Sequence, residues 1–157
     1  MLTQAQVNRV WQLMFEAEVR SFYFVDLAAR YTKRKQIISG LAFFLSSGAA
    51  ATVIANTRAW IPVVLSVITA AMTAYSIAVG LDKKALAMTK LHATWNRIAV
   101  DFERLWHHWY EADAQHILDN LMDRTIDASE AGTEAPYEPA LLDKWGKIAA
   151  EKYRSVA

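Results

Sequence analysis

The chain contains no cysteine. Disulfide frameworks, iron–sulfur clusters and thiolate zinc sites are thereby excluded, and the absence fits a reducing compartment. Glycine and proline are scarce, with 5 and 3 residues in 157. Phosphate-cradling loops, nucleophile elbows and dinucleotide fingerprints all need glycine at fixed spacing, and none of these motifs is present. No catalytic residue, cofactor or enzymatic activity is therefore expected. Neither sign of charge prevails: 17 Lys and Arg against 16 Asp and Glu leave a net charge of +1. A dedicated nucleic-acid binder would carry a strong basic excess, so nucleic acid is not an expected partner.

Charge is also missing locally. No charged residue occurs from Gln36 to Thr57 or from Ala59 to Leu81. Roughly 20 apolar residues in a helix span a bilayer core, and the runs 37–55 and 59–81 both approach or exceed that length. A chain this short has too little material to bury two such helices on all sides. The expected fold is an all-α membrane protein built on a two-span helical hairpin. Only Asn56-Thr57-Arg58 separates the runs, and so short a connection makes them antiparallel neighbours. Asn56 or Thr57 can cap the second helix, Trp60 suits an interfacial position, and Pro62 falls in the first turn, where a missing N–H costs little.

Orientation follows from the basic residues at the run ends. Arg30, Lys33, Arg34 and Lys35 precede the first run, and Lys83, Lys84 and Lys90 follow the second, whereas the turn holds only Arg58. The positive-inside rule puts both termini in the cytoplasm. The expected location is the inner (cytoplasmic) membrane, multi-pass, with the lipid bilayer as first partner. The charged, amphipathic first 35 residues do not read as a signal peptide.

Outside the runs the pattern is that of amphipathic helices. In Thr3–Lys35 one seam comprises Val7, Val10, Met14, Ala17, Ser21, Phe24, Ala28 and Tyr31, and a second Trp11, Phe15, Phe22, Val25 and Ala29. Two apolar faces require more than one packing partner. After the second run, Leu91, Trp95, Ile98, Phe102, Leu105, Trp109 and Ala112 alternate spacings of four and three, a coiled-coil-like heptad. The expectation is two long helices forming a stalk within a domain 1–128. A linker at 129–139, marked by Gly132, Pro136 and Pro139, leads to a C-terminal helix at 140–157 that folds back on the stalk or acts as a mobile arm.

Within the runs, small residues form faces: Gly40, Ser47, Gly48 and Ala51 in the first, and Ala70, Ala74 and Ala78 at four-residue intervals in the second. Such faces let helices approach closely in lipid, within one hairpin or between subunits. Ser66, Thr69, Thr73, Ser76 and Gly80 form a polar stripe on the second run. In an oligomer that stripe is a candidate pore lining. Alternatively each hydroxyl bonds a carbonyl one turn back. No Asp, Glu, Lys, Arg or His lies within either run, which argues against a proton pump or voltage sensor. His107, His108, Glu111 and His116 cluster, but their spacing does not bring three ligands to one point, and no metal site is expected.

The layout of a basic cluster (Arg30 to Gln36), two closely spaced runs, and then KKALAMTKLHATWNRIAVDFERLW from Lys83 to Trp106 resembles the SLATT family, the SMODS and SLOG-associating two-transmembrane effector domains. Ala87, Leu91, His92, Trp95, Glu103, Leu105 and Trp106 are similar in kind and order to residues of that family's helix after the second span. The resemblance covers roughly residues 5–115. It implies a homo-oligomeric, pore-forming or membrane-perturbing effector of bacterial conflict and antiviral defence, triggered by a partner that senses infection. This sequence carries no recognisable sensor domain, so the resemblance implies either a separate sensor protein as partner or sensing by the cytoplasmic stalk and tail. The alternative is a membrane-anchored structural protein whose stalk recruits a cytoplasmic partner.

Overall fold

The computed structural model describes residues 1–154 apart from 55–57 and 59, and only the backbone at 49 and 52–54. Five helices follow in order: α1 (Gln4–Ile54), α2 (Trp60–Val79), α3 (Leu81–His107), α4 (Ala114–Ala131) and α5 (Pro139–Arg154). Among the described residues there is no strand. The chain divides into two compact units, one formed by Met1–Leu27 with Ala87–Ala157 and the other by Ala28–Leu86. The expected turn at Asn56-Thr57 and the caps it offered lie outside the described residues.

The first unit is a four-helix bundle in which chain neighbours run antiparallel. α1 starts in a capping box: the Thr3 backbone N–H donates to the Gln6 side-chain oxygen at 2.9 Å, and the Gln6 N–H donates back to Thr3 Oγ1 at 3.3 Å. Its first seam turns inward, with Val10, Met14, Ala17, Ser21 and Phe24 buried. α3 answers with Leu91, Trp95, Ile98, Phe102 and Leu105, all buried. Ser21 meets His92 while the Leu2 N–H donates to the Trp109 carbonyl at 3.0 Å, which sets the antiparallel register of α1 and α3. α4 returns along α3, tied by Arg124 to Asp101 at 2.8 Å, and buries Ala114, Leu118, Leu121 and Ala128. α5 lies on the second seam of α1, where Phe22 stacks on Trp145 at 5.2 Å and Tyr153 meets Trp11 and Phe15.

The single long helix expected after the second apolar run is broken twice. At the first break Gly80 adopts φ +62°, and its N–H donates to the Ile77 carbonyl at 3.0 Å. This left-handed conformation costs a residue with a Cβ roughly 1–2 kcal/mol, whereas glycine takes it freely. Gly80 therefore closes α2 and stands outside the helical stripe to which its spacing assigned it. The second break, at residues 108–113, involves no glycine or proline. The His108 ring takes the Arg104 carbonyl at 2.9 Å, and the start of the chain takes the freed carbonyl of Trp109. Tertiary hydrogen bonds here outweigh the weak preferences of His, Trp and Tyr for helix. Trp109 is accordingly 40% exposed, and Ala112 is exposed too, so neither belongs to the seam. The expected linker shortens to 132–138 because α4 runs on to Ala131.

The second unit contains the apolar half of α1, then α2 and the first turn of α3. In α1 the half-buried positions include Ile38, Ala42, Leu45 and Gly48, and in α2 they include Leu65, Thr69, Met72, Ser76 and Val79. Each set is one helical face. No residue of α2 is fully buried.

Two glycines give predictions of opposite sign. Gly80→Ala should destabilise the protein by roughly 1–2 kcal/mol through its left-handed backbone. Gly146, inside α5, has open space where a Cβ would sit and no positive φ, so Gly146→Ala should stabilise by up to about 1 kcal/mol. Chemical denaturation in mild detergent measures both.

Candidate functional site

The segment that most needs an explanation is apolar and uncovered. Among the described residues the helical stretch Trp60–His107 is long and apolar enough to cross a membrane, and none of its most apolar window is buried. In α1, Phe43 and Phe44 are each 74% exposed, and in α2 Ile77 is 75% exposed. Leaving such a side chain in water forgoes roughly 1.5–3 kcal/mol each.

The hydroxyl stripe divides on this surface. Thr69 and Ser76 lie on the half-buried face of α2, whereas Ser66 and Thr73 are exposed. Ser66 donates to the Pro62 carbonyl at 2.8 Å, Thr69 to Leu65 at 2.9 Å and Thr73 to Thr69 at 2.9 Å. Ser46 and Ser47 of α1 donate to the Phe43 carbonyl in the same manner. These donors are satisfied within their own helix, which leaves lone pairs but no free N–H or O–H on the stripe at Ser66, Thr69 and Thr73.

The small-residue faces remain open. A Cβ added at Gly40 or Gly48 would meet nothing within 4 Å, and Ser47, Ala51, Ala70, Ala74 and Ala78 are exposed. Of these only Gly48 lies on the half-buried face of its helix.

In the first unit the residues carrying the family resemblance split by burial. Leu91, Trp95 and Leu105 are buried, while Ala87, Glu103 and Trp106 are exposed. His92 Nδ1 lies 3.0 Å from both the hydroxyl and the carbonyl oxygen of Ser21. Nδ1 either donates to the carbonyl or accepts from the hydroxyl, depending on the tautomer. Trp95 is buried with its indole N–H unpaired, and the Arg20 guanidinium sits 4.8 Å over its ring. Spacing alone identified Trp95 but not the Ser21–His92 pair, whose signal was a polar residue on each apolar seam or beside it.

His108, Glu111 and His116 line one cleft of about 320 Å³ with Asp101, Arg104 and Arg124. Among the described residues no three His, Asp or Glu side chains come close enough to hold a metal ion. A larger cleft, about 510 Å³, lies between α1, the 132–138 loop and α5, lined by Arg20, Tyr23, Phe24 and Tyr137 among others. The Tyr23 hydroxyl, which donates to the Pro136 carbonyl and accepts from the Glu138 N–H, pins its loop wall.

α5 is held by the buried Leu141 and Ala149, by aromatic contact, by the Trp145 N–H donating to Asp26 and by ion pairs. Stacked pairs such as Phe22–Trp145 contribute about 0.5–1.5 kcal/mol beyond area burial, against less than about 1 kcal/mol for ion pairs as exposed as those of Lys144 with Asp26. Glu18 is the exception in burial: one carboxylate oxygen takes Lys152, and the other is buried without a hydrogen-bond partner. Burial first, and then the Glu18 carboxylate beside it, push the Tyr153 phenol well above its ordinary value.

No family model, curated protein or solved structure matches this chain.

The raised Tyr153 value fixes the sign of a pH effect. The neutral phenol is favoured in the folded state, so its contribution is complete below the unfolded value of 10.0 and is lost as pH rises beyond it. Trp145 fluorescence should report α5 loosening in alkali, in a variant with the other tryptophans replaced by Phe. Adding Tyr153→Phe should shift that transition to higher pH; an unshifted transition would exclude Tyr153 as its cause.

Proposed function

We propose that this chain is a two-span protein of the bacterial inner membrane, with both termini cytoplasmic, that assembles as a homo-oligomer and perforates or perturbs the bilayer. The observation that carries this reading is the uncovered state of the apolar unit. α2 has no buried residue, and Phe43, Phe44 and Ile77 stand exposed. Lipid supplies what the chain does not. The 20 residues of α2, at about 1.5 Å rise each, match a hydrocarbon core of roughly 30 Å.

Oligomerisation is supported by the open small-residue faces. A Cβ added at Gly40 or Gly48 would meet nothing close, Ala70, Ala74 and Ala78 are exposed, and small faces are what helices use to associate in lipid. In an oligomer the exposed Ser66 and Thr73 would face the shared axis, with Thr69 and Ser76 between α2 and its α1 neighbour. Hydroxyls that spend their protons on their own helix offer permeating ions only lone pairs. With no Asp, Glu, Lys, Arg or His in α2, such a path would discriminate poorly among ions. The SLATT resemblance supplies the biological frame: a non-enzymatic effector of antiviral defence, released by a separate sensor protein.

The internally bonded hydroxyls also favour a second reading, in which the hairpin is only an anchor and the four-helix unit recruits a cytoplasmic partner. An anchor tolerates exchange of its spans for generic Leu/Ala helices, and a pore does not.

The first test is membrane potential after induced expression in bacteria, read with a voltage-sensitive dye. Wild type should depolarise the cells. A variant with Ser66→Ala, Thr69→Val, Thr73→Val and Ser76→Ala should not, at equal expression and oligomer size. Equal depolarisation by both would remove the stripe from the mechanism.

A further inference from the structure

A cleft of about 290 Å³ opens within the second unit where the apolar runs meet the basic residues. Its lining combines Arg34 and Lys84 with Tyr31 and Tyr75 and an apolar wall that includes Ile38 and Val79. The neighbouring cation is committed, since Lys35 binds Asp82 at 2.5 Å. Arg34 and Lys84 have no ion-pair partner among the described residues. Two cations lining one cleft repel, and an anion between them relieves that repulsion. A guanidinium grips phosphate oxygens in a planar fork, an ammonium adds a point charge, and the two phenols are suited to a wet interface.

The surroundings say what kind of anion fits. Ile37 is 53% exposed, Leu41 49% and Ile77 75%. A free phosphate or a nucleotide would leave that apolar surface in water. A molecule with an anionic head and a hydrocarbon tail matches both parts at once. We propose that this cleft binds the phosphate headgroup of an anionic phospholipid, with Arg34 and Lys84 on the phosphate, Tyr31 and Tyr75 at its glycerol side, and the acyl chains along α1 and α2. The site rests on the membrane reading above. It gives that reading a cytoplasmic-leaflet ligand, because basic pockets between spans on that side select anionic headgroups.

The test measures phosphatidylglycerol retained by the full chain after extraction from membranes and washing in neutral detergent, quantified by mass spectrometry. Three proteins are compared: wild type, Arg34→Gln/Lys84→Gln, and Lys33→Gln/Lys83→Gln. The last loses the same charge from neighbouring positions that do not line the cleft. Wild type and the Lys33/Lys83 variant should retain the lipid, and the cleft variant should lose roughly tenfold or more. Retention unchanged in the cleft variant, or equal loss in both variants, overturns the site in favour of none or of a diffuse basic belt. Displacement of the lipid by inorganic phosphate at similar concentration would identify a free-anion site and overturn the lipid. Alkaline carbonate washing separates the two levels. Release of wild type from membranes would sink the membrane reading and this site with it, whereas failure of the cleft arm in a carbonate-resistant protein sinks the site alone.

Discussion

An apolar helix without charge must be covered by something, and this chain does not cover α2. The exposed Phe43, Phe44 and Ile77 alone forgo several kcal/mol in water, a sizeable part of the total stability of an ordinary domain. Whatever covers them, lipid or further copies, therefore belongs to the energetics of the folded chain. This constraint also orders the side chains around it. Hydroxyls in α1 and α2 turn their protons onto carbonyls one turn back, the arrangement with which a polar side chain is least costly in a medium that offers no water.

The other unit solves a different problem with different means. Its core is assembled from aromatic and aliphatic side chains at heptad spacing, and Trp95, Ile98 and Phe102 are nearly inaccessible. Polar groups enter that core only in specific company. Ser21 faces His92, Arg20 covers the Trp95 ring, and Glu18 takes Lys152. An unpaired buried donor such as the Trp95 indole costs about 1–3 kcal/mol. It survives where burial of the rest of the ring outweighs it.

Periodicity made most of the helices legible before any coordinates. The inward seam of α1 and the α3 positions from Leu91 to Leu105 follow directly from three- and four-residue spacing, because burial and helix geometry share one period. What the sequence hid was where helices stop. Gly80 read as one more small residue in a stripe, since nothing local announces that a glycine will take the left-handed region. The break after His107 had no marker at all. It goes with hydrogen bonds from the Met1 amino group to the Glu111 carbonyl and from the Leu2 N–H to the Trp109 carbonyl, contacts between positions more than a hundred residues apart. The seam extrapolated to Trp109 failed for that reason. The cleft of Arg34 and Lys84 was hidden likewise: each appeared as part of a basic cluster counted for orientation, and only folding brings both into the lining of one cleft while Lys35 turns to Asp82.

The two faces of α2 constrain any assembly more tightly than composition does. One face, through Leu65, Thr69, Met72, Ser76 and Val79, is already half-covered within the unit, so an added copy has to use the remainder. That remainder holds both the exposed hydroxyls Ser66 and Thr73 and the Ala70, Ala74, Ala78 row. On a helix of 3.6 residues per turn, Ser66 and Thr73 lie within about 20° of each other at the edge of the exposed arc beside the half-covered face, and Ala70, Ala74 and Ala78 lie roughly 40–120° further round from Ser66. Copies packing through the alanines would therefore turn the hydroxyls toward a common axis or toward lipid, depending on the hand of the crossing. The hydroxyls tolerate either because their protons are already bound, whereas the alanine row gains only where another backbone comes close. Small-residue packing is thus the interaction that would set subunit geometry, and the polar stripe would follow from it.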